Sequence, residues 1–200
     1  MKVVPEVLIV PTGTANIASV AAAFRRLGAS PTICDAPAGI ESATHVMLPG
    51  VGAFAASMQR LAAAGFDEAL KRRIDADRPT IAICVGHQLL FATSDESPGT
   101  RGLGIVDAHV GGFPAGVAVP QFGWNEIEAG DDALLLEPGY AYFANSYRAT
   151  GAPGWRVAMA DHGGPFVAAM QRSNVIGCQF HPELSGAYGE ALLSRFLGLR

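Results

Sequence analysis

The fold is decided by residues 80–88, which read TIAICVGHQ: an apolar run, a cysteine, then small residues. The apolar residues predict a buried strand over residues 80–84, and the small residues permit a tight turn into a helix over residues 88–92. A cysteine at such a bend stands above the sheet edge, close to a helix N-terminus that favours the thiolate. Cys84 is therefore the candidate nucleophile.

A matching base lies far downstream in residues 179–183, which read QFHPE. In an extended segment His181 and Glu183 project to the same side, so Glu183 can fix the imidazole while His181 takes the proton from Cys84. Taken singly, such a cysteine is more often a buried small residue, and such a histidine more often part of a surface turn. Together they predict a Cys-His-Glu triad.

Length and composition limit the possible domain organisation and function. Two hundred residues fit a single domain spanning 1–200. Charged residues make up 16% and hydrophobic residues 50% of the chain, so apolar surface for a partner is expected. The net charge is −4, and the longest basic run, Lys71-Arg72-Arg73, is predicted to be a solvated helix face. Nucleic-acid binding is therefore not expected.

The cysteines and the N-terminus indicate the compartment. Cys34, Cys84 and Cys178 are odd in number and lack metal-ligand spacing, which argues against a disulfide framework and for a reducing environment. The apolar stretch at residues 7–10 is too short for a signal peptide core or a membrane span. We expect a cytoplasmic protein with no membrane contact, no metal and no other cofactor.

Strand-like and helix-like segments alternate along the chain. Strands are predicted over residues 5–10, 31–34, 45–48, 80–84, 156–160, 166–171 and 175–180, and helices over residues 16–28, 53–61, 67–75 and 186–197. This order predicts the α/β class, with one doubly wound, mostly parallel sheet flanked by helices. Short extended pieces among Gly and Pro, from Ser94 to about Gly130, predict an antiparallel extension around the site.

The segment Pro49-Gly50-Val51-Gly52 is the candidate oxyanion site. A thiolate attacking a carboxamide creates an oxyanion, which fixed donors must stabilise. This segment follows the strand at 45–48 and opens at the edge where α/β sheets bind ligands, and its glycines let backbone amides approach closely. The alternative is an ordinary strand-to-helix turn.

The motifs resemble a known family. CVGHQ at 84–88 with HPE at 181–183 is similar to the class I (triad) glutamine amidotransferases, which hydrolyse glutamine and pass on ammonia. Within that class one subfamily is resembled more closely, the glutaminase subunits of imidazole glycerol phosphate synthase in histidine biosynthesis. The motifs that carry this closer resemblance are LPGVGAF at 48–54, GLG at 102–104, FGWN at 122–125, YFANSY at 142–147 and QFHPE.

The resemblance implies a role for each matching residue. Cys84 is implied as nucleophile, His181 as general base and then acid, and Glu183 as the residue that orients His181. The implied oxyanion donors are the amides of Val51, Gly52 and Val85, and the implied glutamine-binding residues are Gly50, Gly52, Gln88, Ser146 and Tyr147. The implied partner is a (β/α)₈-barrel cyclase in a heterodimer, which uses the ammonia to make imidazole glycerol phosphate and aminoimidazole carboxamide ribotide.

Several positions depart from the subfamily pattern. Residues 11–16 read PTGTAN where the family has Asp-Tyr-Gly before Gly-Asn, and His87 stands where the subfamily has Met, as in anthranilate-type relatives. At the face that meets the cyclase in the family, Gln121 and Phe122 replace His and Met, Asn145 replaces His, and Leu184 replaces Lys. These departures keep open a paralogous glutaminase that serves another synthase, such as one forming surface-sugar amidino groups. A catalytically silent partner-binding scaffold is a further alternative, disfavoured by the intact triad.

Overall fold

A computed structural model of the chain describes residues 4–13, 16–130 and 135–200. In chain order the strands are β1 (Glu6–Ile9), β2 (Ser30–Ile33), β3 (His45–Leu48), β4 (Thr80–Ile83), β5 (Phe91–Ser94), β6 (Val106–Gly112), β7 (Gln121–Ala129), β8 (Gly139–Asn145), β9 (Tyr147–Ala149), β10 (Arg156–Asp161), β11 (Pro165–Arg172) and β12 (Val175–Cys178). The helices are α1 (Ile17–Arg26), α2 (Pro37–Ser42), α3 (Phe54–Ala63), α4 (Phe66–Asp75), α5 (Val85–Leu89) and α6 (Gly186–Leu197), with a turn of 3-10 helix at Pro182–Leu184.

Half of the large sheet is parallel, which confirms the predicted α/β class. Strands β2, β1, β3, β4 and β12 lie side by side in this order and run in one direction. Both β3 and β4 are buried throughout, as expected of parallel strands covered on two faces. Leu48 pairs with Ala82, and Ile83 pairs with Cys178. The segments that follow β3, β4 and β12 therefore meet at one edge of the sheet.

The predicted antiparallel extension is present and is larger than the segment 94–130 suggested. Strands β11, β10, β7 and β8 continue the large sheet with antiparallel pairing, and β5, β6 and β9 form a second, smaller sheet. Strand β8 ends at Asn145 in the large sheet, and β9 begins at Tyr147 in the small one. Ser146 is therefore fixed at the junction of the two sheets.

The basic run Lys71-Arg72-Arg73 is only partly the solvated face that the sequence predicted. Lys71 and Arg72 do form ion pairs at the surface, with Glu68 and Glu41. Arg73, in contrast, is only 1% exposed. Its guanidinium donates to the Thr80 hydroxyl and to the carbonyls of Ile40, Ala43, Thr44 and Pro79. Burial lowers the pKa of Arg73 to about 10, and its five-donor fork stabilises the turn between α2 and β3.

The element boundaries differ most after β4. The sequence predicted a helix over 88–92, whereas α5 begins at Val85 and ends at Leu89, and Phe91–Ser94 form strand β5. The helix begins earlier than predicted because the turn between β4 and α5 consists of one residue, Cys84. Helix α2 was not predicted because six residues are too few to show helical periodicity.

Candidate active site

Cys84 lies on a strained turn between β4 and α5. Its backbone has φ 54° and ψ −113°, a conformation that residues other than glycine rarely adopt. Two glycines make the turn possible by close approach: a Cβ on Gly86 would lie 2.2 Å from the Leu48 carbonyl oxygen, and one on Gly50 would lie 2.3 Å from the Gly86 nitrogen. Helix α5 has only five residues, so few peptide dipoles align behind Cys84. Side chains around the sulfur therefore matter more for a thiolate than the helix does.

His181 and Glu183 are brought together as predicted, although not by an extended segment. The Nδ1 atom of His181 lies 2.9 Å from Oε1 of Glu183, and both side chains are buried. His181 is extended, whereas Glu183 lies in the 3-10 turn Pro182–Leu184, which curls its carboxylate back to the ring. Burial disfavours the charged imidazole, but hydrogen bonds to Cys84 and Glu183 outweigh it and raise the pKa of His181 to about 10. The geometry therefore favours a charged imidazole beside the sulfur.

The segment 49–52 follows β3 and lies directly against the Cys84 turn. The Val85 amide, a predicted oxyanion donor, donates instead to the Gly50 carbonyl at 3.3 Å. Gly52 has φ 102°, which only glycine adopts readily. Val51 and Gly52 both line the cavity next to Cys84. The predicted donors thus lie along the cavity wall, but the Val85 amide points at the Gly50 carbonyl rather than at the cavity.

A cavity of about 190 Å³ opens next to the sulfur. This is below the range of about 300–1,000 Å³ typical of drug-sized ligands, and suits an amino acid. Its walls contain most of the predicted residues: Val51, Gly52, Cys84, Val85, Gln88, Ser146, Tyr147 and His181, together with Glu96, Ala144 and Asn145. Gly50, a predicted glutamine-binding residue, instead packs against Val85 and Gly86 and lines a neighbouring cavity.

Gln88 has its amide nitrogen held by protein groups. It donates to the Tyr147 carbonyl at 3.2 Å and to Oε1 of Gln179 at 2.9 Å. Asn145 also donates to the Tyr147 carbonyl, at 3.0 Å. These bonds tie α5 to the junction between β8 and β9, so one wall of the cavity is rigid.

Glu96 and Gln179 received no role from the sequence, although both lie at the site. The Glu96 carboxylate lines the cavity and accepts from the Phe54 amide at 2.7 Å, so it also caps α3. Gln179 is fully buried, and its Nε2 atom lies 3.9 Å from the Cys84 sulfur. Glu96 carries no local signal in the sequence. Gln179 lies two residues before His181, so its position in the QFHPE motif was the sequence feature that could have indicated a role at the site.

Other features of the described residues bear on earlier expectations. All three cysteines, Cys34, Cys84 and Cys178, are free and buried. Across 4–13, 16–130 and 135–200, no three His, Cys, Asp or Glu side chains are grouped as metal ligands. No helix in these ranges combines the length and apolar character needed to cross a membrane. Within the departing stretch 11–16, Thr14 and Ala15 lie outside the described residues.

Comparison with known proteins supports the motif resemblance. The model of the glutamine amidotransferase class-I family matches residues 8–198. A protein of Symbiobacterium thermophilum, named imidazole glycerol phosphate synthase subunit HisH, is 39% identical over 196 residues, covering 96% of this chain and 92% of that protein. A longer Arabidopsis thaliana protein, named imidazole glycerol phosphate synthase hisHF, chloroplastic, is 39% identical over 199 residues; the match covers 96% of this chain and 34% of that one.

The fold is shared with solved structures. A structure described as a glutamine amidotransferase superposes with a TM-score of 0.77 at 18% identity, covering 96% of this chain and 97% of the other. With its α/β sheet, the Cys84 turn and the family match over 8–198, the chain belongs to the class-I glutamine amidotransferases. Within that family it belongs with the HisH subunits of imidazole glycerol phosphate synthase, to one of which it is 39% identical over nearly its whole length.

Proposed function

We propose that this chain, acting as one amidotransferase domain over residues 1–200, is the glutaminase subunit of an imidazole glycerol phosphate synthase. It hydrolyses L-glutamine to glutamate and ammonia, and passes the ammonia to a cyclase in histidine biosynthesis. The observation that carries the proposal is the Cys84 turn, which lies beside a Glu183-bound His181 at a small cavity. The names of the relatives supply the pathway.

The triad performs the first half of the reaction. Nδ1 of His181 is engaged by Glu183, so Nε2 holds the proton that leaves the Cys84 thiol, and the sulfur attacks as the thiolate. The thiolate attacks the side-chain carboxamide carbon of glutamine, a C–S bond forms, and the carbonyl electron pair moves to oxygen. His181 then gives its proton to the carboxamide nitrogen, the electron pair on oxygen re-forms the carbonyl, and the C–N bond breaks. Ammonia departs, and the acyl group stays on Cys84 as a thioester.

Water completes the cycle. His181 removes a proton from a water molecule, which attacks the thioester carbon. The C–S bond breaks, glutamate leaves, and the sulfur recovers its proton from His181. Glu183 holds the ring of His181 in place and stabilises the imidazolium at each stage.

The glutamine is held at its far end by the rigid wall of the cavity. Gln88, Ser146 and Tyr147 are proposed to bind its amino and carboxylate groups. We propose Glu96 as a further member of this set, because its carboxylate lines the same cavity and suits the ammonium group by charge. Its Oε2 atom accepts the Phe54 amide, which fixes the carboxylate in place.

The oxyanion donors are proposed to change position between resting and active states. The Val85 amide is engaged by the Gly50 carbonyl, so the segment 49–52 must rotate before Val51, Gly52 and Val85 can meet an oxyanion. Peptide units flanked by glycine rotate at low steric cost. We propose that binding of the cyclase, with its substrate, favours the rotated form.

The proposed partner is a (β/α)₈-barrel cyclase that docks on an apolar face beside the triad. Phe122 and Trp124 on β7 are 70% and 59% exposed, and Leu184, which follows Glu183, is 48% exposed. Trp124 packs edge-on against Tyr142 and approaches Gly186, which places it near Leu184. Large apolar side chains exposed together at one rim mark an interaction surface. The Arabidopsis relative is about three times as long as the matched region, so its matched part is covalently joined to further sequence, as expected if the partner can be fused to this domain.

Replacing the nucleophile tests the proposal. The chain is co-purified with a barrel cyclase, and glutamate release is measured beside synthesis from added ammonia. Cys84→Ser is expected to lower glutamine hydrolysis at least about a thousandfold while ammonia-dependent synthesis survives, because a hydroxyl is a far weaker nucleophile. Cys34→Ser, at a buried cysteine in the strand-to-helix connection after β2, is the matched control. Near wild-type hydrolysis by Cys84→Ser contradicts the assignment, and failure to bind any barrel cyclase favours service to another synthase.

A further inference from the structure

The sulfur of Cys84 has a second polar neighbour besides His181. Gln179, the residue after β12, is fully buried, and its Nε2 atom is 3.9 Å from the sulfur. Its backbone amide donates to the Ala168 carbonyl at 2.8 Å, which anchors it to β11. A fully buried side-chain amide therefore lies within hydrogen-bonding distance of the proposed nucleophile.

The orientation of the Gln179 amide follows from a chain of hydrogen bonds. A backbone carbonyl only accepts, so the Tyr147 carbonyl requires the nitrogen of the Gln88 amide to face it. The same Gln88 nitrogen then donates to Gln179, so the oxygen of Gln179 must face Gln88. The NH₂ group of Gln179 is left facing Cys84. The donor therefore points at the sulfur because the Tyr147 carbonyl, acting through Gln88, sets its direction.

We propose that Gln179 donates an N–H···S hydrogen bond to the Cys84 thiolate, stabilising the anion and holding it toward the glutamine cavity. The inference rests on the proposed role of Cys84 as nucleophile. A hydrogen bond to a charged acceptor is stronger than one to a neutral thiol, so the contact strengthens when the proton moves to His181. Because the network continues through Gln88 to Tyr147, which line the glutamine cavity, it also links the cavity wall to the nucleophile.

Other groups near the sulfur define what a pH measurement reports. His181 faces the sulfur and is backed by Glu183, while Glu96 and Tyr147 lie across the same cavity. His87 is on α5 behind Cys84, where burial lowers its pKa to about 3 and keeps it neutral. A substitution at Gln179 leaves all of these groups in place.

The test measures thiolate formation directly. The rate of alkylation of Cys84 by iodoacetamide is followed against pH by mass spectrometry of the Cys84 peptide, in the full-length chain. Gln179→Met keeps the volume but removes the donor. We expect the pH midpoint of alkylation to rise, and kcat for glutamine hydrolysis in the cyclase complex to fall about tenfold to a hundredfold, with KM changing less than about threefold.

Two further variants make the outcome decisive. Gln171→Met is the matched control, because Gln171 on β11 is also buried with both amide ends engaged, by the Leu135 amide and the Ser173 carbonyl. It should leave the midpoint and kcat within about twofold of wild type. Gln179→Glu still accepts from Gln88 but places a negative charge beside the sulfur, so it should raise the midpoint further than Gln179→Met. This variant decides the question if Gln179→Met fails to fold.

An unchanged midpoint in a folded Gln179 variant overturns the inference, as does an equal loss in Gln171→Met. Failure of the underlying function gives a different result. If Cys84 is not the nucleophile, Cys84→Ser retains hydrolysis whatever Gln179 does. If only the inference fails, Cys84→Ser is inactive and the alkylation midpoint of the Gln179 variants stays at the wild-type value.

Discussion

The two sides of the cavity next to Cys84 are built differently. On the base side, His181 is bound to Glu183 at 2.9 Å, and its backbone amide donates to the Tyr142 carbonyl at 2.9 Å. On the donor side, the Gly50 carbonyl accepts the Val85 amide, and the chain passes through a glycine at φ 102°. One side is fixed by buried side chains, whereas the other consists of peptide units that can turn. We therefore expect the isolated chain to turn over glutamine slowly even though the proposed triad is assembled.

Removing the base should have the largest effect. His181→Ala is expected to lower kcat about a thousandfold to ten-thousandfold, because proton transfer to and from the sulfur is lost. Glu183→Gln should cost less, since it only weakens the support of the imidazole. Both are measured as glutamate release by the cyclase complex, with thermal unfolding as the control for folding. Equal losses would mean that Glu183 does more than orient His181, and an active His181→Ala enzyme would remove the histidine from the mechanism.

The donor side predicts the next largest effect. Glutamine hydrolysis should be about a hundredfold to a thousandfold slower in the isolated chain than in the cyclase complex with a cyclase ligand, because one misplaced oxyanion donor costs that much. Alkylation of Cys84 by iodoacetamide is the control, since it needs the thiolate but no oxyanion site. Full glutaminase activity in the isolated chain would show that the donors are already aligned. A parallel rise in alkylation would place the change at the sulfur instead.

The comparison also shows what the sequence could predict. Cys84, His181 and Glu183 were found because a strand, a tight turn and a His-x-Glu spacing are local patterns, and the structure brings all three together at one edge of the sheet. The parallel sheet followed from the alternation of strands and helices in the same way. Gly50 was placed in the glutamine site with its neighbours, yet it packs against Val85 and Gly86. A motif gives the order of residues but not which peptide unit faces the cavity.

Contacts between distant segments of the chain could not be predicted from the sequence. Arg73 reads as part of a basic surface run, and only the fold places five acceptors around it. Glu96 enters the cavity because its loop packs against the start of α3, 42 residues away. Gln179 lies in a quoted motif, but its direction depends on Gln88, 91 residues earlier. In each case the missing information is a hydrogen-bond partner, which has no periodicity in the sequence.

The smallest expected effect concerns stability and the buried histidine of α5, the helix that follows Cys84. His87 is fully buried, both ring nitrogens lack a hydrogen-bond partner among the described residues, and its ring packs edge-on against Phe91. Burial lowers its pKa from 6.5 to about 3. Between these values the unfolded chain binds a proton that the folded chain does not, so the free energy of unfolding decreases as the pH falls below 6.5.

Replacing this histidine with an apolar residue of similar length should remove that loss. Each pH unit in this window corresponds to about 1.4 kcal/mol for one proton, so His87→Met should gain about 2 kcal/mol over wild type between pH 7 and pH 5. Urea unfolding at a series of pH values measures the difference, with glutaminase activity at neutral pH as the check on the site. His45, whose pKa burial also lowers, is retained in the variant, so some acid sensitivity persists. Parallel stability curves for the two proteins would contradict this prediction, because they would show that His87 binds a proton as readily in the folded chain as in the unfolded one.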